Sequence, residues 1–128
     1  MSKKYFTREE ANQLLPYVQE EISFLQGLKS QFHKTYQERE QMKKSQSEQD
    51  TDLFTLECRL EFMEMEAQTR LKHMAAKGIQ VKDIDVGLVD FPALHNGEEV
   101  LLCWREGESA VEHYHGLFEG FIGRKKLD

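Results

Sequence analysis

The residues of this chain best suited to chemistry stand in its last third. A carboxylate (Asp90), a thiol (Cys103) and two imidazoles two positions apart (His113 and His115) make a donor set that suits zinc or a similar divalent metal. Arg105 and Arg124, helped by the same histidines, would suit an anionic ligand instead. A third outcome is purely architectural. Asp90 and Arg105 would then form a diagonal cross-strand ion pair, Cys103 would be a small buried apolar residue, and the histidines would bond to backbone. A His-x-His pair without a CxxC partner is no zinc signature by itself. Neither a Gly-rich phosphate loop nor a GxSxG elbow is present, and a Cys103–His113 nucleophile–base pair lacks a third group to orient it. Whether the protein is an enzyme stays open.

These residues need a scaffold, and Asn96-Gly97 supplies its centre. That dipeptide favours a two-residue turn with positive φ at both positions, the strongest short-range hairpin signal. Pairing outward from it sets Ala93 opposite Val100, Phe91 opposite Leu102 and Val89 opposite Trp104, which makes one apolar face. The other face carries Pro92 with Leu101, Asp90 with Cys103 and Leu88 with Arg105. If the segment around His113 is extended, both histidines point to one side and can join that polar face. The patch is expected where the β unit meets the start of the first helix.

Upstream of Gly78 the composition changes to Glu, Gln, Lys, Leu and Met, with Gly27 the only glycine. Thr7 followed by Glu10 is a capping box, with Phe6 and Ala11 placed to staple the helix entry. Leu14, Val18, Ile22, Leu25, Leu28, Phe32 and Tyr36 then recur at helical spacing. Pro16 should bend this helix and free the carbonyl of Asn12. A polar tip at about 43–52 should follow, then a second helix from about Leu53 to Lys77, stopped by Gly78. Its stripe of Leu53, Leu56, Leu60, Met63, Ala67, Leu71 and Met74 folds back onto the first helix.

The second helix also carries Phe54, Cys58, Phe62 and Met65 on its opposite side, at about 100° per residue. A helix apolar on two opposed faces is not an exposed arm of a two-helix hairpin, so either the second half of the chain folds back over it or another copy covers it. The distance from the hairpin tip to the second half favours another copy. The architecture expected is α+β in a single domain, 1–128. Residues 1–78 form a long antiparallel, coiled-coil-like helical hairpin, and 79–128 form a small β unit with a glycine-rich tail at its base.

Composition narrows the function classes. With 17 Lys and Arg against 23 Asp and Glu, the net charge is −6, which argues against nucleic acid as a partner. No apolar run approaches the roughly 18–20 residues that span a bilayer, and the charged start Met1-Ser2-Lys3-Lys4 develops no signal-peptide core. Two cysteines build no disulfide framework, so a reduced, cytoplasmic setting is expected.

Four separated motifs carry a resemblance. They are Tyr5-Phe6-Thr7 with Glu10-Ala11-Asn12 and Leu14-Leu15-Pro16; then Gly87 through Ala93; then Cys103-Trp104-Arg105 with Gly107-Glu108; then His113-Tyr114-His115 with Gly120-Phe121 and Gly123-Arg124. In this order they resemble a family of small, mainly bacterial proteins, domain of unknown function 2203. Tyr114 stands where the family pattern favours Trp, which leaves the histidine spacing intact. The family has no established activity, so the resemblance assigns no catalytic or binding residue. Two functions follow as expectations. The first is a small cytoplasmic interaction or scaffold protein, self-associating as a homodimer through its helices. The second is a small metal- or anion-binding protein, using the polar face of the β unit.

Overall fold

The computed structural model describes residues 4–45 and 50–128. Helix α1 spans Arg8–Ser45 and helix α2 spans Asp50–Ala76. Five strands follow: β1 (Gln80–Asp83), β2 (Leu88–His95), β3 (Glu98–Arg105), β4 (His113–Gly116) and β5 (Lys125–Lys126). They pair in chain order as one antiparallel sheet, so the fold is α+β.

The capping box forms as the sequence implies. Glu10 N–H donates to Thr7 Oγ1 at 3.0 Å, and Thr7 N–H donates to Glu10 Oε1 at 2.9 Å. That backbone bond, then the bond from Lys4, holds the Glu10 carboxyl below its usual range. Pro16 lies inside α1, and the helix continues through it. Gly78, at φ 90°, ends α2 in a Schellman motif: Ile79 N–H reaches the Met74 carbonyl and Gly78 N–H reaches that of Ala75.

The polar tip is shorter than its composition suggests. Lys43–Ser45 and Asp50–Asp52 are helical, and residues 46–49 lie outside the described residues. Glu, Gln, Lys and Met are good helix formers, and Lys43 and Lys44 in the last turn suit the negative end of the helix dipole. A stretch that cannot bury itself can therefore stay helical in water. At 1.5 Å per residue α1 is about 57 Å long. Glu21 and Arg70 tie the two helices together at 2.8 Å, and Arg70 also stacks on Phe24 at 4.1 Å.

The β unit exceeds the expected hairpin by three strands. Around Asn96 (φ 53°) and Gly97 (φ 81°) the register pairs Val89 with Trp104, Asp90 with Cys103 and Phe91 with Leu102, as the turn signal implies. Val89, Phe91, Ala93, Val100, Leu102 and Trp104 form the inner face. It packs on Phe6, Ala11, Leu15, Val18 and Ile22 from the N-terminal segment and α1, with Met74 of α2. Pro92 sits within β2 without cost to the ladder, because its carbonyl accepts from Phe6 N–H at 2.7 Å. Its ring nitrogen therefore faces that same margin, away from β3.

Asn12 locks α1 to the segment before β4. Its Oδ1 accepts from Val111 N–H at 2.7 Å and its Nδ2 donates to the Val111 carbonyl at 3.3 Å. Val111 is fully buried. Asn12→Ala leaves both backbone groups without their partners, and an unfolding free energy lower by about 1–3 kcal/mol is expected. Urea melts check this, and an unchanged midpoint would show the amide bridge to be dispensable.

Candidate functional site

The alternation that sends Val89, Phe91, Leu102 and Trp104 toward the helices sends Asp90, Leu101 and Cys103 to the opposite face. Strand β4 adds to that face, with His113 opposite Cys103 and His115 opposite Leu101. The face is not solvent. The segment after β4 curls back over it, so that Leu117, Phe118 and Phe121 join Leu88, Asp90, Leu101 and His115 around a cleft of about 310 Å³. This corrects the expected placement beside the first helix: one face of the sheet is already filled by α1, which leaves the polar residues on the far side.

Three of the four metal-donor candidates meet there. The donor atoms of Asp90, Cys103 and His115 lie within 4.8 Å of one another, and all three side chains are buried. His115 Nδ1 stands 2.8 Å from the Gly116 carbonyl, which can only accept, so Nδ1 carries the hydrogen. Nε2 then faces Asp90 Oδ2 at 3.1 Å. Asp90 Oδ1 has no hydrogen-bond partner. Burial raises the Asp90 carboxyl above its usual range, against the pull of His115. Burial, then the Asp90 carboxylate, pushes the Cys103 thiol up to about 12, although Arg124 favours the thiolate. The thiol alone is thus no nucleophile near neutrality.

His113 does not join the cluster. Its Nδ1 lies 3.6 Å from Glu108 Oε2, because the turn after β3 brings that carboxylate to the entry of β4. Of the two arginines, Arg105 is drawn away from the cluster, and Arg124 touches its edge while engaged elsewhere. Arg105 is exposed and stacks on Phe121 at 5.6 Å. Arg124 is forked onto the Glu108 carboxylate and lies 4.3 Å over the same ring, with Nη1 4.0 Å from Cys103 Sγ. The diagonal Asp90–Arg105 ion pair is not formed among the described residues; Asp90 pairs with His115 instead.

Glu108 is the residue that pattern reasoning missed. Its carboxylate accepts from Arg105 N–H at 2.7 Å and from Arg124, while its carbonyl accepts from Trp104 Nε1 at 3.0 Å. Burial pushes this carboxyl up, but Arg124 and the Arg105 N–H bring it below its usual range. The only signal was its place beside Gly107 in the third motif, and Gly107 indeed takes φ 105°.

The second candidate surface lies on α2. Phe54 is 66% exposed, Phe62 and Met65 are each 65% exposed, and Cys58 is exposed too. An adjoining groove between the helices, of about 650 Å³, is lined by Lys34, Cys58, Arg59, Phe62 and Met63 among others.

A family described as "Uncharacterized conserved protein (DUF2203)" matches residues 4–127. The chain belongs to this family. No curated protein and no solved structure matches it. The DUF2203 match takes in both helices and the whole sheet, so the helical surface and the Asp90 cluster are parts of one family unit. No described helix is long and apolar enough to cross a membrane.

Proposed function

We propose that this DUF2203 protein is a small cytoplasmic interaction module that pairs with a second copy of itself through α2. The observation that carries this reading is the exposed stripe of Phe54, Cys58, Phe62 and Met65 opposite the stripe that packs on α1. Large apolar side chains aligned along one face usually mark an interface. Three of them per copy, each about two-thirds exposed, would contribute roughly 6–12 kcal/mol on burial across a dimer. That only matches the roughly 4–15 kcal/mol that association costs, so the stripe alone leaves little net affinity and a stable dimer also draws on the charges along its edges.

Charge selects the geometry. Glu57, Glu61 and Glu64 border the stripe on one side, and Arg59 and Glu66, with Lys34 of α1, border it on the other. A two-fold axis along the hairpin sets one copy's acidic edge against its partner's mixed edge, where Arg59 and Lys34 stand. An antiparallel pair would set glutamate against glutamate. Parallel pairing also brings the two Cys58 thiols to the same height across the axis.

Light scattering should therefore give a dimer for the native chain and a monomer for Phe62→Glu, whose unpaired charge costs more in an apolar interface than the roughly 2–7 kcal/mol of an unpaired neutral polar group. Mild oxidation should cross-link the native chain and not Cys58→Ser. A native chain that is monomeric at micromolar concentration ends this reading, and a dimer without the cross-link ends the parallel arrangement. The free thiols Cys58 and Cys103 and the acidic balance support a reduced compartment with no nucleic-acid partner.

A second reading is favoured by the buried Asp90–Cys103–His115 cluster. In it the sheet unit binds a small ligand, either a metal ion or an anion.

A further inference from the structure

We propose that Asp90, Cys103 and His115 bind one divalent cation of the zinc class, through the Asp90 carboxylate, Cys103 sulfur and His115 Nε2, with a fourth position open to the adjoining cleft. This rests on the second reading above, in which the sheet unit holds a small ligand, and it selects the ligand.

The geometry points to a cation in four ways. First, the donor atoms sit within 4.8 Å of one another. Ligands at about 2.0–2.3 Å from a tetrahedral zinc stand roughly 3.3–3.8 Å apart, so a contraction of about 1 Å closes the site. Second, the His115 ring is oriented as a metal ligand would be. Its Nδ1–H is held by the Gly116 carbonyl, which leaves Nε2 as the nitrogen directed at Asp90 Oδ2. Two lone pairs at 3.1 Å need a proton or a metal between them, and a backbone carbonyl on the far nitrogen is the usual outer support of a metal-bound histidine.

Third, Asp90 is 2% exposed, and besides His115 its carboxylate has only the Cys103 thiol as a side-chain hydrogen-bond partner. A trio of purely architectural purpose leaves a buried carboxylate to a weak thiol donor, whereas a cation gives it a strong partner. Fourth, the charges close. One divalent ion with a carboxylate, a thiolate and a neutral imidazole sums to zero, which is what a buried site tolerates. Arg124 adds no net charge, since Glu108 holds it, and its Nη1 is 4.0 Å from the Cys103 sulfur that a metal would turn into thiolate.

The ligands come from three adjacent strands, β2, β3 and β4, at fixed register, so the site is positioned by the sheet and not by a loop. Three protein ligands with an open side is the arrangement of a zinc ion that takes an exogenous ligand. The cleft on that side reaches Asp90 and His115 and has Lys82 in its lining, so a small anion is the ligand class that fits the open position.

Cobalt(II) titrated into the full chain, prepared without a histidine tag, tests the site. One equivalent should bind with the visible ligand-field bands of a four-coordinate ion and a near-ultraviolet thiolate-to-cobalt charge-transfer band, and zinc should displace it. Cys103→Ser should abolish the charge-transfer band, while His115→Gln and Asp90→Asn should each weaken binding at least tenfold. His113→Gln and Cys58→Ser should leave both unchanged. Azide should alter the cobalt spectrum if the fourth position is open.

Absence of saturable cobalt binding to the native chain overturns the proposal, as does a charge-transfer band that survives Cys103→Ser. A spectrum unmoved by azide overturns the open position. The native-chain and Cys58→Ser spectra decide the matter even if the ligand variants fail to fold, because they identify the thiol. Inorganic phosphate separates the two levels. Phosphate bound without cobalt sinks the cation and keeps a ligand-binding sheet; neither bound sinks both.

Discussion

Trp104→Ala is expected to lower the unfolding free energy by about 3–5 kcal/mol, the range for truncating a large buried aromatic. Trp104 is 1% exposed on the inner face of β3, packed among Val89, Phe91 and Leu102 and the α1 residues Leu15 and Val18. The space it vacates lies between a sheet and a helix that are held elsewhere, by Asn12 on Val111 and by Phe6 on Pro92, so the walls cannot collapse to fill it. The indole also donates to the Glu108 carbonyl at 3.0 Å, and that carbonyl loses its partner. Trp104→Phe keeps most of the packing and loses the bond, so it should cost about 1–2 kcal/mol. Urea denaturation reads both as shifts of midpoint at constant slope. A Trp104→Ala loss under about 1 kcal/mol would mean that the sheet does not rest on this residue.

What made that prediction possible was legible in the chain. Asn96-Gly97 pins a two-residue turn, and alternation then assigns every side chain from Val89 to Trp104 to one face or the other. A one-residue slip would have exchanged the faces, so the apolar pattern admitted a single register. The helices were legible through Leu56, Leu60 and Met74 at helical spacing, all buried. Strand β1 was not, because Gln80–Asp83 offers only Val81 as an apolar residue, and β5 is two lysines that pair with His113 and Tyr114. Neither carries a pattern of its own; each is a strand because a neighbour already is.

The polar face shows the same limit more sharply. Alternation places His113 and His115 on one side, and it cannot say which of them the covering segment reaches. His113 enters β4 beside the turn that carries Glu108, so it is drawn toward that carboxylate. His115 lies one step farther under Leu117 and Phe121, in reach of Asp90. Arg105 ends its strand and falls at the rim, where Phe121 takes it. A glutamate after glycine reads as a solvated turn charge, and only the return of Arg124 along the chain's last segment makes Glu108 a junction.

That junction carries the second large effect. Glu108→Ala removes the partner of an Arg124 side chain that is 18% exposed and of the Arg105 N–H, and it leaves the segment over Cys103 without its main tie. Breaking a fully buried pair costs about 3–5 kcal/mol; with both groups partly in contact with water, about 2–3 kcal/mol is expected here. The pH dependence has a definite sign. In the folded chain the Glu108 carboxyl sits below its usual range, burial opposing and Arg124 with the Arg105 N–H prevailing. A depressed carboxyl contributes stability that is complete above the unfolded value, about 4.3, and is lost as pH falls through the folded one. The stability gap between the native chain and Glu108→Gln should therefore be constant from pH 7 to about 5 and shrink toward pH 3. Urea melts at pH 7, 5, 4 and 3, steps that bracket the usual carboxyl range, measure it directly. A gap that widened on acidification would place the carboxyl above its usual range and overturn the fork between Arg124 and Glu108 as what holds the covering segment on the sheet.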